Sequence, residues 1–332
     1  MYRSIIPIAS ALLAATAGAQ PVSDTPAALA EAAKARAIAG EDLKAPLFLC
    51  ELHGGGVVRR ALETDSKQWL EPTKLFDNLF YIGNGFVGVF VLKTSEGLIL
   101  FDAAQSETEA REHLIPGLQK LGLDPTTIRY VIVTHGHYDH FGGSAWLQKT
   151  YGAQVAISAA DWTLIENTPA DAIERSGTQL PKRDIIIGDG QTITLGDTKV
   201  ALYVTPGHTP GAVSAIVPVR SNGKVHNLSL LGSTAFPASI EPTEKVGGLK
   251  AYDSSVLRFA KISRAAFAQG VLNTHIFADG TRARIEAIAA APDRANPFLQ
   301  GPQFVGRYYR ILHHCLRAAQ LRPQADNVWL PK

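Results

Sequence analysis

The sequence predicts a chain of mixed helices and strands, α/β or α+β in class, with two sheets and helices packed outside them. Three observations predict it. Short runs rich in β-branched and aromatic residues recur between longer helical stretches. Turn residues such as Ser95-Glu96-Gly97 and Ser221-Asn222-Gly223 separate neighbouring runs. Chemistry-bearing residues gather where such runs end. The clearest case is Thr134-His135-Gly136-His137-Tyr138-Asp139-His140, directly after the apolar run Tyr130-Val131-Ile132-Val133. Imidazole and carboxylate are the N and O ligands zinc favours, at roughly 2.0–2.2 Å, and a rigid strand end is a good place to fix them.

The composition suits a packed core: 46% of residues are hydrophobic and 19% charged. A formal charge of +2 without blocks of like charge argues for neither a nucleic-acid surface nor a polyanionic partner. Residues 1–19 have the form of a secretory signal. Arg3 precedes a short apolar run from Ile5 to Ala17, and Ala17-Gly18-Ala19 fits a small-x-small cleavage site. The run is short for a membrane span, although an uncleaved amphipathic anchor is the competing reading. A periplasmic or secreted mature protein without a membrane segment is expected. Export leaves two readings of Cys50 and Cys315: a bridge from the N-terminal segment to the last helix, or two buried thiols.

Residues 20–74 read as an N-terminal extension, with an Ala-rich helix over Thr25 to Ala39. Gly54-Gly55-Gly56 is a flexible break, since no phosphate-loop GK[ST] follows. The organised domain spans 75–290. Strands are expected at Leu79 to Ile82, Val87 to Thr94 and Leu98 to Phe101, the last closed by Asp102, then a helix from Glu107 to Leu121. After the His-rich cluster come a helix from Gly143 to Tyr151, a strand from Ala153 to Ile157 and a helix from Ala159 to Glu166. Further strands are expected at Asp184 to Ile187, Gln191 to Leu195, Lys199 to Val204, Ala212 to Val219 and Val225 to Leu231. A long helix over Lys250 to Ala268, a strand over Val271 to Thr274 and a helix over Thr281 to Ala290 follow. Residues 291–332 are a helical C-terminal extension, with its helix over Phe304 to Leu321.

Two more histidines, His208 and His275, stand where apolar strands end, so each can converge with the cluster on one sheet edge. His53, His113, His226, His313 and His314 lack that placement and read as structural or exposed. The plainer reading of Phe86 is core packing, with an apolar lip over the site as the alternative.

The motif His135-Gly136-His137-Tyr138-Asp139-His140 resembles the HxHxDH signature of the metallo-β-lactamase superfamily. Gly207-His208-Thr209-Pro210-Gly211 is similar to that family's next motif and His275 to its last, all in the family's order. The resemblance implies an αββα four-layer sandwich with two zinc ions at one edge. His135, His137 and His208 would hold one ion; Asp139, His140 and His275 would hold the other. Asp102 would orient a ligand from behind, where a simple strand-end cap is the plainer alternative. Hydrolases of the glyoxalase-II kind carry a bridging aspartate after the strand that here ends Leu230-Leu231. This chain reads Gly232-Ser233-Thr234-Ala235 there, which resembles the third subclass of zinc β-lactamases, with Ser233 as a substrate-carboxylate contact. It departs from that subclass at Ala235, where a second serine is usual, and at Ile276, where proline is usual. The implied reaction is opening of a β-lactam, a small-molecule substrate, by a hydroxide shared between the ions, with Asp139 orienting it. A zinc hydrolase of another ester, lactone or thioester is the alternative, and a non-catalytic zinc-binding module a third.

Overall fold

A computed structural model describes residues 24–51, 56–170, 173, 177–232, 235–236, 242–292 and 294–322. The signal-like residues 1–19, His53 and Ser233 lie outside the described residues. Twelve strands among those residues form two sheets. They are β1 (Thr73–Lys74), β2 (Leu79–Gly83), β3 (Gly88–Thr94), β4 (Gly97–Phe101), β5 (Ile128–Ile132), β6 (Gln154–Ser158), β7 (Ile185–Ile187), β8 (Thr192–Leu195), β9 (Thr198–Val204), β10 (Val213–Ser221), β11 (Lys224–Leu230) and β12 (Gly270–Leu272). The first sheet runs in the order β1-β2-β3-β4-β5-β6-β7, antiparallel to β4 and parallel from there to β7. The second runs β12-β11-β10-β9-β8, with only the β11–β12 pair parallel.

Strand periodicity assigns each side chain to a layer. Leu79, Tyr81, Phe90, Leu92, Ile99 and Phe101 face the second sheet and meet Leu202, Val213, Ala215, Val217 and Leu228. The alternate residues Phe80, Ile82, Val89, Val91, Leu98 and Leu100 face outward. There they are covered by α3 (Glu107–Glu109), α4 (Ile115–Lys120), α5 (Tyr138–Phe141), α6 (Ser144–Tyr151) and α7 (Ala159–Glu166), through Leu114, Leu118, Phe141, Leu147 and Trp162. Both faces of the sheet are buried, so its strands read as continuous apolar runs.

The outer face of the second sheet carries the remaining helices: α8 (Pro242–Ala265) and α10 (Pro302–Gln320), with α1 (Pro26–Ala39) from the chain's other end. A short helix, α2 (Val57–Glu63), precedes β1, and α9 (Thr281–Ala290) follows β12. α1 offers a smooth stripe, Ala28, Ala32, Ala35 and Ala39, which lets α10 approach closely with Leu312, Leu316 and Ala319 in the same cluster. The result is the αββα sandwich the sequence implied.

Three expectations are refined. The helix from Glu107 runs on to Lys120 as expected but carries a π-helical turn over Ala110–Leu114, because Pro116 has no N–H for Glu112 and its ring would meet that carbonyl. The long helix starts at Pro242 rather than Lys250. The strand before His275 stops at Leu272, since Asn273 Oδ1 accepts the His275 N–H at 2.9 Å and turns the chain.

Cys50 and Cys315 are bridged, closing a separation of 265 residues. Arg322 reinforces the join by donating to the Cys50 carbonyl and to Asp24. Removing a native bridge typically costs about 2–5 kcal/mol. Replacing both cysteines by alanine is expected to lower the urea-unfolding free energy by that amount; an unchanged midpoint would show that the helical contacts alone hold α1 in place.

Candidate metal centre

The candidate residues meet at one edge, beyond the carboxyl ends of β4, β5, β9, β11 and β12, where sheets of this kind place their ligands. Asp102 follows β4 with φ +67°, a left-handed conformation that aspartate tolerates better than most residues. Its own N–H holds to the Ile132 carbonyl at 2.9 Å. Wholly buried, its carboxylate accepts from Thr134 N–H (2.7 Å), Thr134 Oγ1 (3.0 Å) and His140 Nδ1 (2.6 Å). Gly142 and Gly143 allow this loop to lie close: a Cβ there would fall 2.0 Å from the Gln105 carbonyl and 2.2 Å from that of Ala103.

His208 comes from the loop between β9 and β10. Gly207 (φ +154°) lies against α8, where a Cβ would sit 2.2 Å from Tyr252 Cβ. Ser255 of α8 donates to the Pro206 carbonyl at 2.8 Å. His208 Nδ1 is 2.9 Å from the Ala235 carbonyl. His275 Nδ1 is 3.2 Å from the Phe86 carbonyl, and the Phe86 ring stands 4.5 Å from the His275 ring. Phe86 is both buried and a neighbour of the centre, so the two readings of it meet in one residue.

Ligand-capable atoms of His135, His137 and His208 lie within 4.8 Å of one another, and so do those of His135, His140 and His275. Asp139 Oδ2 is 3.4 Å from Nε2 of both His140 and His275. His113 is elsewhere, stacked on Trp69 at 3.8 Å. His313 pairs with Asp253 and His314 with Glu31.

Hydrogen bonding sets the ring chemistry. A ring whose Nδ1–H is given to a carbonyl or carboxylate keeps a lone pair on Nε2. Nε2 atoms so prepared face each other at 3.0 Å between His140 and His275. Between His135 and His208 the spacing is 3.1 Å. Facing lone pairs need a cation. A proton or a metal ion supplies one, and this donor set of imidazoles with one carboxylate fits divalent zinc. Burial, aided by neighbouring imidazoles, lowers the pKa of His135 and His208 well below the ordinary value. Burial also brings His275 down to about 4. For His140 burial acts in the same direction, but the Asp139 and Asp102 carboxylates outweigh it and push the ring up to about 10. Burial would raise Asp139, yet His140, His275 and His137 together hold it well below the usual carboxylate range.

Ser233 lies outside the described residues; close by in sequence, the Ala235 carbonyl meets His208 Nδ1. Sequence reasoning missed Thr134, whose hydroxyl lies between Asp102 and the rings, and the backing residues Tyr252 and Ser255. The threonine was in plain view before the first histidine; the other two carry no local motif.

Residues 82–221 match the model of the metallo-beta-lactamase superfamily. Among solved structures, a subclass B3 metallo-beta-lactamase of Bradyrhizobium japonicum aligns with TM-score 0.60 and 27% identity, over 74% of this chain and 92% of that one. A metallo-beta-lactamase from Legionella gormanii shares the fold at TM-score 0.61 and 20% identity, over 73% and 92%. The curated relatives bear another name. A hydroxyacylglutathione hydrolase of Acidiphilium cryptum is 36% identical over 26% of this chain and 29% of its own length. The hydroxyacylglutathione hydrolase GloC of Haemophilus influenzae is 30% identical over 38% and 61%. The chain thus covers less than two thirds of either curated relative.

Asp102→Ala would strand three buried donors. It is expected to weaken zinc binding about 10–100-fold, as loss of an outer partner does, measured by competition with a chromophoric chelator. Wild-type affinity in that variant would reduce Asp102 to a strand-end cap.

Proposed function

We propose that this chain is a zinc-dependent hydrolase that opens the amide of a β-lactam, acting outside the cytoplasm. The observation that carries the reading is the second group of ligands, Asp139, His140 and His275, set beside a strand end without a carboxylate. β11 ends at Leu230 and the chain continues Leu231-Gly232-Ser233-Thr234, so no aspartate is available there to bridge two ions. The alignment with a subclass B3 enzyme over most of both chains supports the same reading. For export, the support is the signal-like form of residues 1–19 and the Cys50–Cys315 bridge.

In this reading His135, His137 and His208 hold one zinc and Asp139, His140 and His275 a second, within a catalytic domain over 75–290 that residues 20–74 and 291–332 extend. Bound zinc supplies the Lewis acid and brings the pKa of the attacking water toward neutrality. The protein's part is orientation. Asp139, kept ionised by the imidazoles around it, accepts a hydrogen bond from the attacking water and aims it. Asp102 and the Phe86 carbonyl hold His140 and His275 in one tautomer. Tyr138, half-exposed beside the ligands, offers its ring to substrate, and Ser233 hydrogen-bonds the substrate carboxylate.

A second reading, hydrolysis of a thioester, is favoured by the names of the curated relatives. The deciding experiment offers a penicillin, a cephalosporin, a carbapenem and a hydroxyacylglutathione to the purified chain, with zinc and with chelator. β-Lactam turnover that chelator abolishes and zinc restores is expected. His135→Ala and His275→Ala should each cost more than the roughly 10–100-fold typical of an outer partner. Thioester turnover alone, by protein holding two zinc ions, would replace the β-lactam reading.

A further inference from the structure

Asp161 belongs to none of the motifs that mark the centre, yet it touches two of them. It sits in the first turn of α7, wholly buried. Its Oδ2 accepts from the Gly136 N–H at 2.8 Å and from Thr209 Oγ1 at 2.6 Å. Its Oδ1 accepts from the Gly211 N–H at 2.7 Å. Gly136 separates His135 from His137, and Thr209 and Gly211 follow His208. The three imidazoles of that group rise from different sheets, two after β5 and one after β9, and this carboxylate spans the join.

Its own position is well determined. Ser158 Oγ caps α7 by accepting the Asp161 N–H at 3.3 Å, and the neighbouring Trp162 is buried with its Nε1 donating to the Ile185 carbonyl. The loops fit around it without slack. A Cβ on Gly211 would lie 2.0 Å from Ser158 Oγ and 2.7 Å from Asp161 N, and one on Gly136 3.2 Å from the Asp161 carbonyl oxygen.

We propose that Asp161 is a positioning residue: it sets the separation of His208 from His135 and His137, and through it the geometry of that ligand group. The proposal rests on the metal reading above. Charge-assisted hydrogen bonds to three donors are stronger and more directional than neutral ones, which suits a carboxylate for joining two loops. An amide cannot replace it, because its NH2 must face at least one of the two backbone N–H groups.

The test compares wild type, Asp161→Asn and Thr209→Val, each titrated with cobalt(II) as the probe. Three readouts are taken: affinity by chelator competition, the visible ligand-field spectrum, and thermal unfolding of the metal-free proteins. Asp161→Asn is expected to bind the first cobalt about 10–100-fold more weakly, with altered visible bands. Thr209→Val, which removes one donor and leaves the carboxylate, should show a smaller change in the same direction. Lower metal-free stability with wild-type affinity and spectrum in both variants would overturn the proposal and leave Asp161 a purely structural residue. Should Asp161→Asn fail to fold, Thr209→Val decides alone, and a wild-type spectrum and affinity in it are fatal. Wild type that binds no cobalt would sink the metal reading and this proposal together; metal-binding wild type with unchanged variants sinks this proposal only.

Discussion

Imidazole lone pairs that face one another across about 3 Å in a buried site are an arrangement no chain adopts freely, and the surrounding structure depends on imposing it. Isolated, the rings would turn away or take up water. Here three of the four are held from behind: His140 by Asp102, His275 by the Phe86 carbonyl, His208 by the Ala235 carbonyl. Asp102 and Ala104 accept left-handed backbone to make that hold possible, a cost of order 1–3 kcal/mol per residue that sites of this kind concentrate.

The sandwich supplies the counterforce. Its inner core locks the two sheets together, so loops at the same edge cannot drift apart independently. Val213 N–H, at the start of β10, bonds directly to the Thr134 carbonyl at 2.7 Å, tying the second sheet to the start of the histidine cluster. On the outer face α8 presses on the His208 loop through Tyr252 and Ser255, while on the other face α6 and α7 back the loop that carries His140. Each helical layer therefore stabilises one side of the ligand set.

Much of this was legible in the residues. Leu79 to Ile82 is an unbroken apolar run that reads as a strand, and the structure buries both of its faces, Leu79 and Tyr81 on one side and Phe80 and Ile82 on the other. The cluster from His135 to His140 is contiguous, and His208 and His275 stand out because each follows an apolar run. What stayed hidden was the backing. Carbonyls of Phe86 and Ala235 act through backbone, which leaves no trace in residue identity. Asp161 could be read as a helix-cap partner of Ser158, since S-x-x-D before an apolar run marks a helix start, but its two loops lie 25 and about 50 residues away in sequence. Pro116 is the residue that marks the π-helical turn inside the helix from Glu107.

The pairing of α1 with α10 also sets an order of events during synthesis. The alanine stripe of α1 is made near the beginning, and the helix that covers it near the end. Cys50 and Cys315 stand 265 residues apart, so their bridge can form only once both segments are present in an oxidising compartment. Until then the outer face of the second sheet lacks its full cover, and α1 is a nascent helix without a partner. Closure of this layer is consequently a late, non-local step, whose rate is governed by the meeting of distant segments rather than by local propensity.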